Sequence, residues 1–521
     1  MSDQTSSRRE FLKRTALSVG GLTVSTGICA GAFAQRTDNL NRQGTQWVPL
    51  EWQLQNASFE GNPFDLEAKV TFVRSEDGEQ RTTGMFYDGS GTWKFRFTAT
   101  KPGTWTFTTQ SADTDLNGYT GTVAIAPTAG SYGFVTHRAN LWARQKDVSG
   151  QLEAFIPQFV MYESPQYFFR KPECVEQDIV TFLVDHGFTG FHIPVYCHWF
   201  NIEKSQCGNI SSPDPSPDIR TFEALEMLIS KVHAAGGVVH IWMWGDDSRT
   251  MTPKKWGLNG SADKRLQRYI AARLGPLPGW TMGYGFDLWE WVTGEELSEW
   301  HDYMHQHLGW PHMLGARSET NELTQLSGTM DYSSYEQHRP DYSMYVQTID
   351  KRPDKPAFSE DRFRIRDSDE HREKDYSMEG TRRGLWHSAL AGGVANIWGN
   401  LIPEENNVEE KEGSYPYARP DWIKTYSRFF ATRFSFDMIR ENSIVLEGYA
   451  LRSENRERYI IYIEDASTMI VDLSDMEGSQ RMIAVDAKIP YREIDLDVID
   501  PDKLTVTLES TSDWAVAIGS F

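Results

Sequence analysis

Residues 222–244 read FEALEMLISKVHAAGGVVHIWMW. Phe222, Leu225, Leu228 and Val232 recur at helical spacing and give one apolar face. Gly236-Gly237 stop that helix, and the apolar run Val238 to Trp244 follows as a strand. The same order occurs upstream. Phe155 to Tyr162 is a strand, Val175, Ile179, Phe182 and Leu183 share a helix face, Gly187 caps it, and Phe191 to Tyr196 is the next strand. Downstream, Leu297, Trp300, Met304 and Leu308 form a helix face that ends at Gly309 and feeds His312 to Arg317. Helix, glycine stop and apolar strand in repetition predict β/α units around a parallel sheet, and the length of the repeat predicts a (β/α)8 TIM barrel over residues 131–428. No GxGxxG or GxxxxGK[ST] follows any strand, which speaks against a nucleotide-binding fold.

The flanks read differently. Trp93, Phe95 and Phe97 alternate with Lys94, Arg96 and Thr98, the pattern of a half-buried strand. A turn at Lys101-Pro102-Gly103 and a second alternation through Trp105 and Phe107 predict a hairpin in an N-terminal β-sandwich over residues 35–130. After residue 429 strands return at Tyr459 to Ile463, Met469 to Leu473, Leu504 to Leu508 and Trp514 to Ile518, a small antiparallel β domain over residues 429–521.

Residues 1–34 carry Arg8-Arg9, a weakly apolar stretch from Ala16 and the end Ala32-Phe33-Ala34. This pattern predicts a twin-arginine signal peptide, hence export to the periplasm or beyond. Beyond the leader no apolar run is long enough to span a membrane. Cys174, Cys197 and Cys207 follow it; a Cys197–Cys207 disulfide and three free thiols are both open, and no zinc-type cysteine spacing occurs. The formal charge is −21, and the leader is itself basic, so a nucleic-acid partner is not expected. Aromatic residues make up 13% of the chain, including 18 Trp, an excess that suits either sugar-stacking surfaces or plain cores.

A TIM barrel places its chemistry where the strands end. Those ends supply His192, Tyr196 and His198 (second strand), Trp242 and Trp244 (third), Asp287 and Glu290 (fourth), Arg317 (fifth), Tyr335 and His338 (sixth), Glu360 and Arg362 (seventh) and Trp398 (eighth). Trp242 and Trp244 are expected on the same side of their strand, and Asp246-Asp247 reads as a turn. Carboxyls with aromatic rings point to glycoside hydrolysis, which needs a protonated donor and a nucleophile or base across one bond. No lysine stands at a strand end for Schiff-base chemistry, and no paired strand-end histidines suggest a catalytic metal. No cofactor and no metal are therefore expected.

Thr381-Arg382-Arg383-Gly384-Leu385-Trp386, through Ala391-Gly392-Gly393 into Ile397-Trp398-Gly399, resembles the last helix and strand of apiosidase-like glycoside hydrolases. Gly283-Tyr284-Gly285-Phe286-Asp287 is similar to that family's Gly-Gly-Asp stretch, which implies Asp287 as acid/base. Lys355-Pro356 to Glu360 resembles its seventh strand, which implies Glu360 as nucleophile. The stretch Lys101 to Trp105 resembles the uncharacterised β-sandwich that often precedes such barrels, and the C-terminal strands resemble the β domain that often follows. Phe286 interrupts the Gly-Gly-Asp pattern and keeps Glu290 as a rival acid/base. With carboxyls on strands four and seven, such a barrel implies a retaining hydrolase. The family label says little about the sugar, and the expected substrate is a plant or algal polysaccharide or oligosaccharide, with the strand-end residues His192, Tyr196, His198, Trp242, Trp244, Glu290, Arg317, Tyr335, His338, Arg362 and Trp398 around it. Arg362, with Arg364 and Arg366, could clamp sulfate or uronate groups. A carbohydrate-binding protein on a degenerate barrel is the alternative. A polysaccharide lyase using Tyr335 or His338 beside Arg362 is a third reading.

Overall fold

The computed structural model describes residues 40–128, 130–319, 328–366, 376–402 and 413–521. The twin-arginine leader, with Arg8, Arg9 and Cys29, lies outside the described residues.

Among the described residues, eight parallel strands form the barrel: β1 Gln158–Met161, β2 Gly190–Pro194, β3 Val238–Trp242, β4 Trp280–Gly283, β5 in two pieces (Leu314–Gly315 and Arg317–Ser318), β6 Ser333–Tyr335, β7 Ala357–Ile365 and β8 Ala395–Asn400. Leu314–Gly315 pairs with β4 and Arg317–Ser318 with β6, so the two ends of the sheet meet around Ala316. The strands coincide with the apolar runs because both faces are covered: every residue of β1, β3, β4 and β8 is buried. Gly187 ends the helical segment before β2 in the left-handed region, φ 95°. The helix Ile219–Ala234 buries Phe222, Leu225, Leu228 and Val232, as its spacing predicts. Trp142, on a short strand ahead of the barrel, closes the N-terminal mouth; its indole N–H donates to the Ala357 carbonyl at 2.9 Å.

Of the three sheets that precede the barrel among the described residues, the two ahead of the Trp142 strand's sheet share one aromatic core. The larger runs Arg42–Thr45, Thr120–Ala126, Gly103–Ser111, Ala68–Arg74, Gln80–Gly84; the smaller runs Leu50–Gln55, Thr92–Phe97, Phe86–Tyr87. The segments on either side of Lys101-Pro102-Gly103 do not form the expected hairpin. Thr92–Phe97 lies in the smaller sheet and Gly103–Ser111 in the larger, so the turn carries the chain across the sandwich. Phe97 and Trp105 still meet, with ring centroids 5.0 Å apart, because both point into the common core. Thr92–Phe97 is also not half-buried. Its outer face docks on the barrel, where Arg96 donates to Glu226 Oε1 at 2.7 Å and to the Arg273 carbonyl at 2.8 Å.

The C-terminal sheet has six antiparallel strands. The expected pairs of short strands fuse into two long ones, Tyr459–Ile470 and Thr505–Ile518, because irregular pairing between Ile463 and Thr468 absorbs the break in alternation. Trp386, on the helix Met378–Leu390, stacks on Tyr462 of this sheet at 5.1 Å. Cys197 and Cys207 form a disulfide with Cα atoms 5.1 Å apart; Cys174 is free. No described helix is long and apolar enough to cross a membrane.

Candidate active site

Four carboxylate residues from three strand ends gather around Arg317 at the C-terminal mouth. One guanidinium nitrogen of Arg317 donates to Asp287 Oδ1 at 2.7 Å and lies 3.4 Å from Glu336 Oε2. The other donates to the Glu360 backbone carbonyl at 3.1 Å and lies 3.3 Å from Asp361 Oδ1. Asp361 Oδ2 bonds His338 Nδ1 at 2.6 Å, and His338 Nε2 lies 3.5 Å from Glu336 Oε1. The guanidinium is itself buried, and its four acidic neighbours more than offset the cost of burying its charge, so its pKa is raised.

A bulge explains how two consecutive acids both reach the site. Pairing of β7 with β8 shifts register between Ser359 and Arg362, which leaves Glu360 and Asp361 out of the regular pairing. Two residues are thus extra relative to β8, so the alternation from Phe358 inside the barrel to Phe363 on the helix side is kept, while Glu360 and Asp361, unpaired with β8, both reach the Arg317 side. Asp361, absent from the strand-end candidates, is thereby a member of the site.

Glu360 is fully buried. Its Oε1 accepts from Trp242 Nε1 at 3.0 Å and Tyr332 Oη at 3.4 Å, and lies 3.3 Å from His240 Nε2. Its Oε2 has no hydrogen-bond partner among the described residues. Gly283 makes room for this carboxylate: a Cβ there would stand 1.8 Å from Glu360 Oε1. The glycine of the family-like stretch is thus explained by the carboxylate opposite. Behind Glu360, His192 Nδ1 and His240 Nδ1 are 2.9 Å apart. Burial, then the His240 ring and the Arg362 and Arg317 charges, hold His192 well below the usual imidazole range.

The carboxyls differ in proton affinity. Burial, Asp361 and Asp287 outweigh Arg317 and raise Glu336 above the ordinary carboxyl range. Burial also pushes Asp361 up, but Arg317 and His338 outweigh it and hold it below that range. Neighbouring carboxyls pushed apart in this way can divide donor and acceptor roles.

The other sequence candidates divide by strand face. Trp242 is inside the barrel, with Arg317 and Arg362 guanidinium carbons 5.4 and 5.5 Å from its ring centroid. Tyr196 lies at the mouth, its ring 5.7 Å from Phe286. Trp244 is not on the side of Trp242. β3 ends at Trp242, alternation stops, and Trp244 packs in the helix-side core against Phe200. Tyr335 packs against the helix layer with Tyr345, and Trp398 donates to Gln158 Oε1 at 2.6 Å on that same outer side. His198 is buried in a turn and bonds the carbonyl of Ile202 at 2.6 Å. Glu290 is exposed on the turn Leu288–Glu290, whereas Asp287 stands at its start beside Arg317. Asp246 caps the expected turn, accepting from the Arg249 N–H at 2.8 Å.

Sequence reasoning passes over Glu336, His240, Tyr332 and Trp289. Glu336 directly follows the sixth strand, and His240 shares the parity of Trp242, so both carry a readable signal. Trp289, half-buried with its ring 5.8 Å from the Arg317 guanidinium carbon, carries none.

Residues 43–112 match the family model described as a domain of unknown function, DUF5060. No curated protein matches the chain. Among solved structures, a protein of Bacteroides vulgatus ATCC 8482 provisionally named a glycoside hydrolase aligns over 92% of this chain and 100% of its own, with TM-score 0.72 and 15% identity. A structure named simply as a glycoside hydrolase aligns over 74% of this chain and 97% of its own, with TM-score 0.55 and 11% identity. A glycoside hydrolase family 5 protein of the same Bacteroides strain aligns over 75% and 93%, with TM-score 0.54 and 12% identity. At these identities the likeness establishes a shared fold: the TIM barrel with its flanking β sheets, aligned over nearly the whole chain in the first case.

Proposed function

We propose that the chain is an exported glycoside hydrolase acting on a plant or algal glycan, and that it retains anomeric configuration. The convergence of Asp287, Glu336, Glu360 and Asp361 on Arg317 at the C-terminal mouth carries the reading. So many acids around one cation are costly unless the site uses them. Glu360, at the bulge of β7, is the nucleophile; Asp287, just past β4, is the proton donor. Carboxyls in these roles stand about 5–5.5 Å apart in retaining enzymes. Half-buried Trp289 supplies a ring face for the sugar, and Arg362 the charge for an anionic substituent. The solved structures of similar fold named as glycoside hydrolases support the same class.

A leaving-group comparison tests the donor. A donor matters most when the departing oxygen is a poor leaving group. Asp287→Asn is expected to lose roughly 10²–10⁴-fold more activity on the glycan than on an activated aryl glycoside. Glu290→Gln, altered at an exposed position, is expected to lose little on either. If Glu336→Gln alone shows the leaving-group dependence, the proton comes from β6 and not from Asp287.

Export belongs to the same proposal. Replacing Arg8 and Arg9 by Lys is expected to leave the protein in the cytoplasm; normal export of that variant contradicts the twin-arginine assignment.

The full burial of Glu360 favours one other reading, a carbohydrate-binding barrel without turnover. It predicts glycan binding with no new reducing ends.

A further inference from the structure

We propose that His301, His305 and Asp331 form a zinc site on the side of the barrel away from the carboxylate cluster. The two histidines are one turn apart on the helix Gly294–His307, which places both rings on one face, centroids 4.4 Å apart. Their Nε2 atoms converge on a single carboxylate. His301 Nε2 is 3.2 Å from Asp331 Oδ1, and His305 Nε2 is 2.8 Å from Asp331 Oδ2. The ligand atoms of all three residues lie within 4.8 Å of one another. Ligand atoms on one tetrahedral zinc are about 3.4 Å apart at bond lengths of about 2.1 Å, so only a small closure is needed. Two imidazoles and one carboxylate favour zinc over calcium or magnesium, which prefer all-oxygen shells, and water completes the tetrahedron.

The surroundings are those of a held site. Asp331 Oδ2 also accepts the Leu314 N–H at 2.8 Å, which fixes the carboxylate at the start of β5. His301 Nδ1 lies 3.3 Å from Asp302 Oδ1, the outer carboxylate that orients many metal-bound imidazoles. Lys355 donates its amine to the Met330 carbonyl, leaving the Asp331 oxygens to the imidazoles and the Leu314 N–H. Side-chain exposures of 12% for His301, 24% for Asp331 and 32% for His305 leave an entry path. The other triad of this kind among the described residues, Glu336, His338 and Asp361, already has the Arg317 guanidinium 3.3–3.4 Å from its carboxylates, so a cation occupies it. The bound ion would tie the helix after β4 to the starts of β5 and β6. Leu314 is three residues before Arg317 on β5, so the site braces the strand that carries the guanidinium.

The test is zinc chloride titrated into the purified, chelator-stripped full chain, followed by calorimetry and thermal unfolding, with cobalt(II) as a spectroscopic probe. The expected result is one equivalent bound, an unfolding temperature raised by about 2 °C or more at saturation, and an intense visible cobalt band of tetrahedral type. His301→Gln and His305→Gln should each weaken binding on the order of 100-fold or more and abolish the cobalt band. His338→Ala should leave both unchanged. Should Asp331→Asn misfold through loss of its bond to Leu314, the two histidine variants still decide the matter. Absence of binding at saturating zinc, or loss of binding in His338→Ala with retention in both histidine variants, overturns the proposal.

Discussion

Glu360→Ala is expected to lower turnover of the glycan on the order of 10³–10⁴-fold, and sodium azide is expected to restore part of it. The side chain that is removed sits opposite Gly283, which has no Cβ to fill the space. A small anion can enter that space and attack from the same side, giving a glycosyl azide of inverted configuration relative to the substrate. Trp242 Nε1 and the Tyr332 hydroxyl, which donate to Oε1 in the native site, remain as donors for the anion. Glu360→Gln keeps the shape and closes the space, so it should lose the same activity without rescue. Loss of turnover in both variants, with rescue confined to Ala, separates a nucleophile from a packing residue. Wild-type turnover in Glu360→Ala contradicts the assignment.

Arg317→Ala is expected to be the most disruptive change near the site. It removes the partner of Asp287 and the nearby charge that offsets Glu336 and Asp361. Breaking a buried ion network from one side costs about 3–5 kcal/mol. The pH dependence carries a definite sign. Asp361 is held below its ordinary range in the folded chain, so its stabilisation is present above the unfolded pKa and is lost as pH falls through the folded one. In Arg317→Ala that support is weakened, so the deficit against wild type should be largest near neutral pH and shrink as the carboxyls protonate. Urea unfolding at a series of pH values measures it. A deficit that does not depend on pH would mean that Arg317 acts by packing alone. Activity should fall with Arg317→Lys as well, because an ammonium cannot reproduce the flat fork that spans Asp287 and the Glu360 carbonyl.

The barrel was legible because its strands are covered on both sides and therefore read as continuous apolar runs between helix stops. The same property hid which face each strand residue takes. Tyr335 ends its strand as expected and Trp398 lies two residues inside the end of β8, yet both face the helix layer, since a strand buried on two faces gives no polar alternation to mark the inside. Trp244 was misplaced because the strand stops two residues earlier than its hydrophobicity does. Asp361 entered the site through a bulge, which depends on pairing with β8 and leaves no mark in the local sequence. The turn at Lys101-Pro102-Gly103 was correctly a turn, but its local chemistry does not tell a hairpin from a crossing between sheets. Position at the end of an apolar run was sufficient to find Asp287, Arg317 and Glu360, although Arg317 lies in the second piece of β5 and β7 runs on past Glu360 to Ile365.

The most direct test of the account is incubation of the purified protein with a panel of plant and algal polysaccharides, neutral and anionic, followed by product analysis beside the Glu360→Ala variant. The native protein is expected to release new reducing ends from at least one glycan, and the variant nearly none. Binding of a glycan without new ends, or ends that carry an unsaturated, ultraviolet-absorbing sugar, would contradict that expectation.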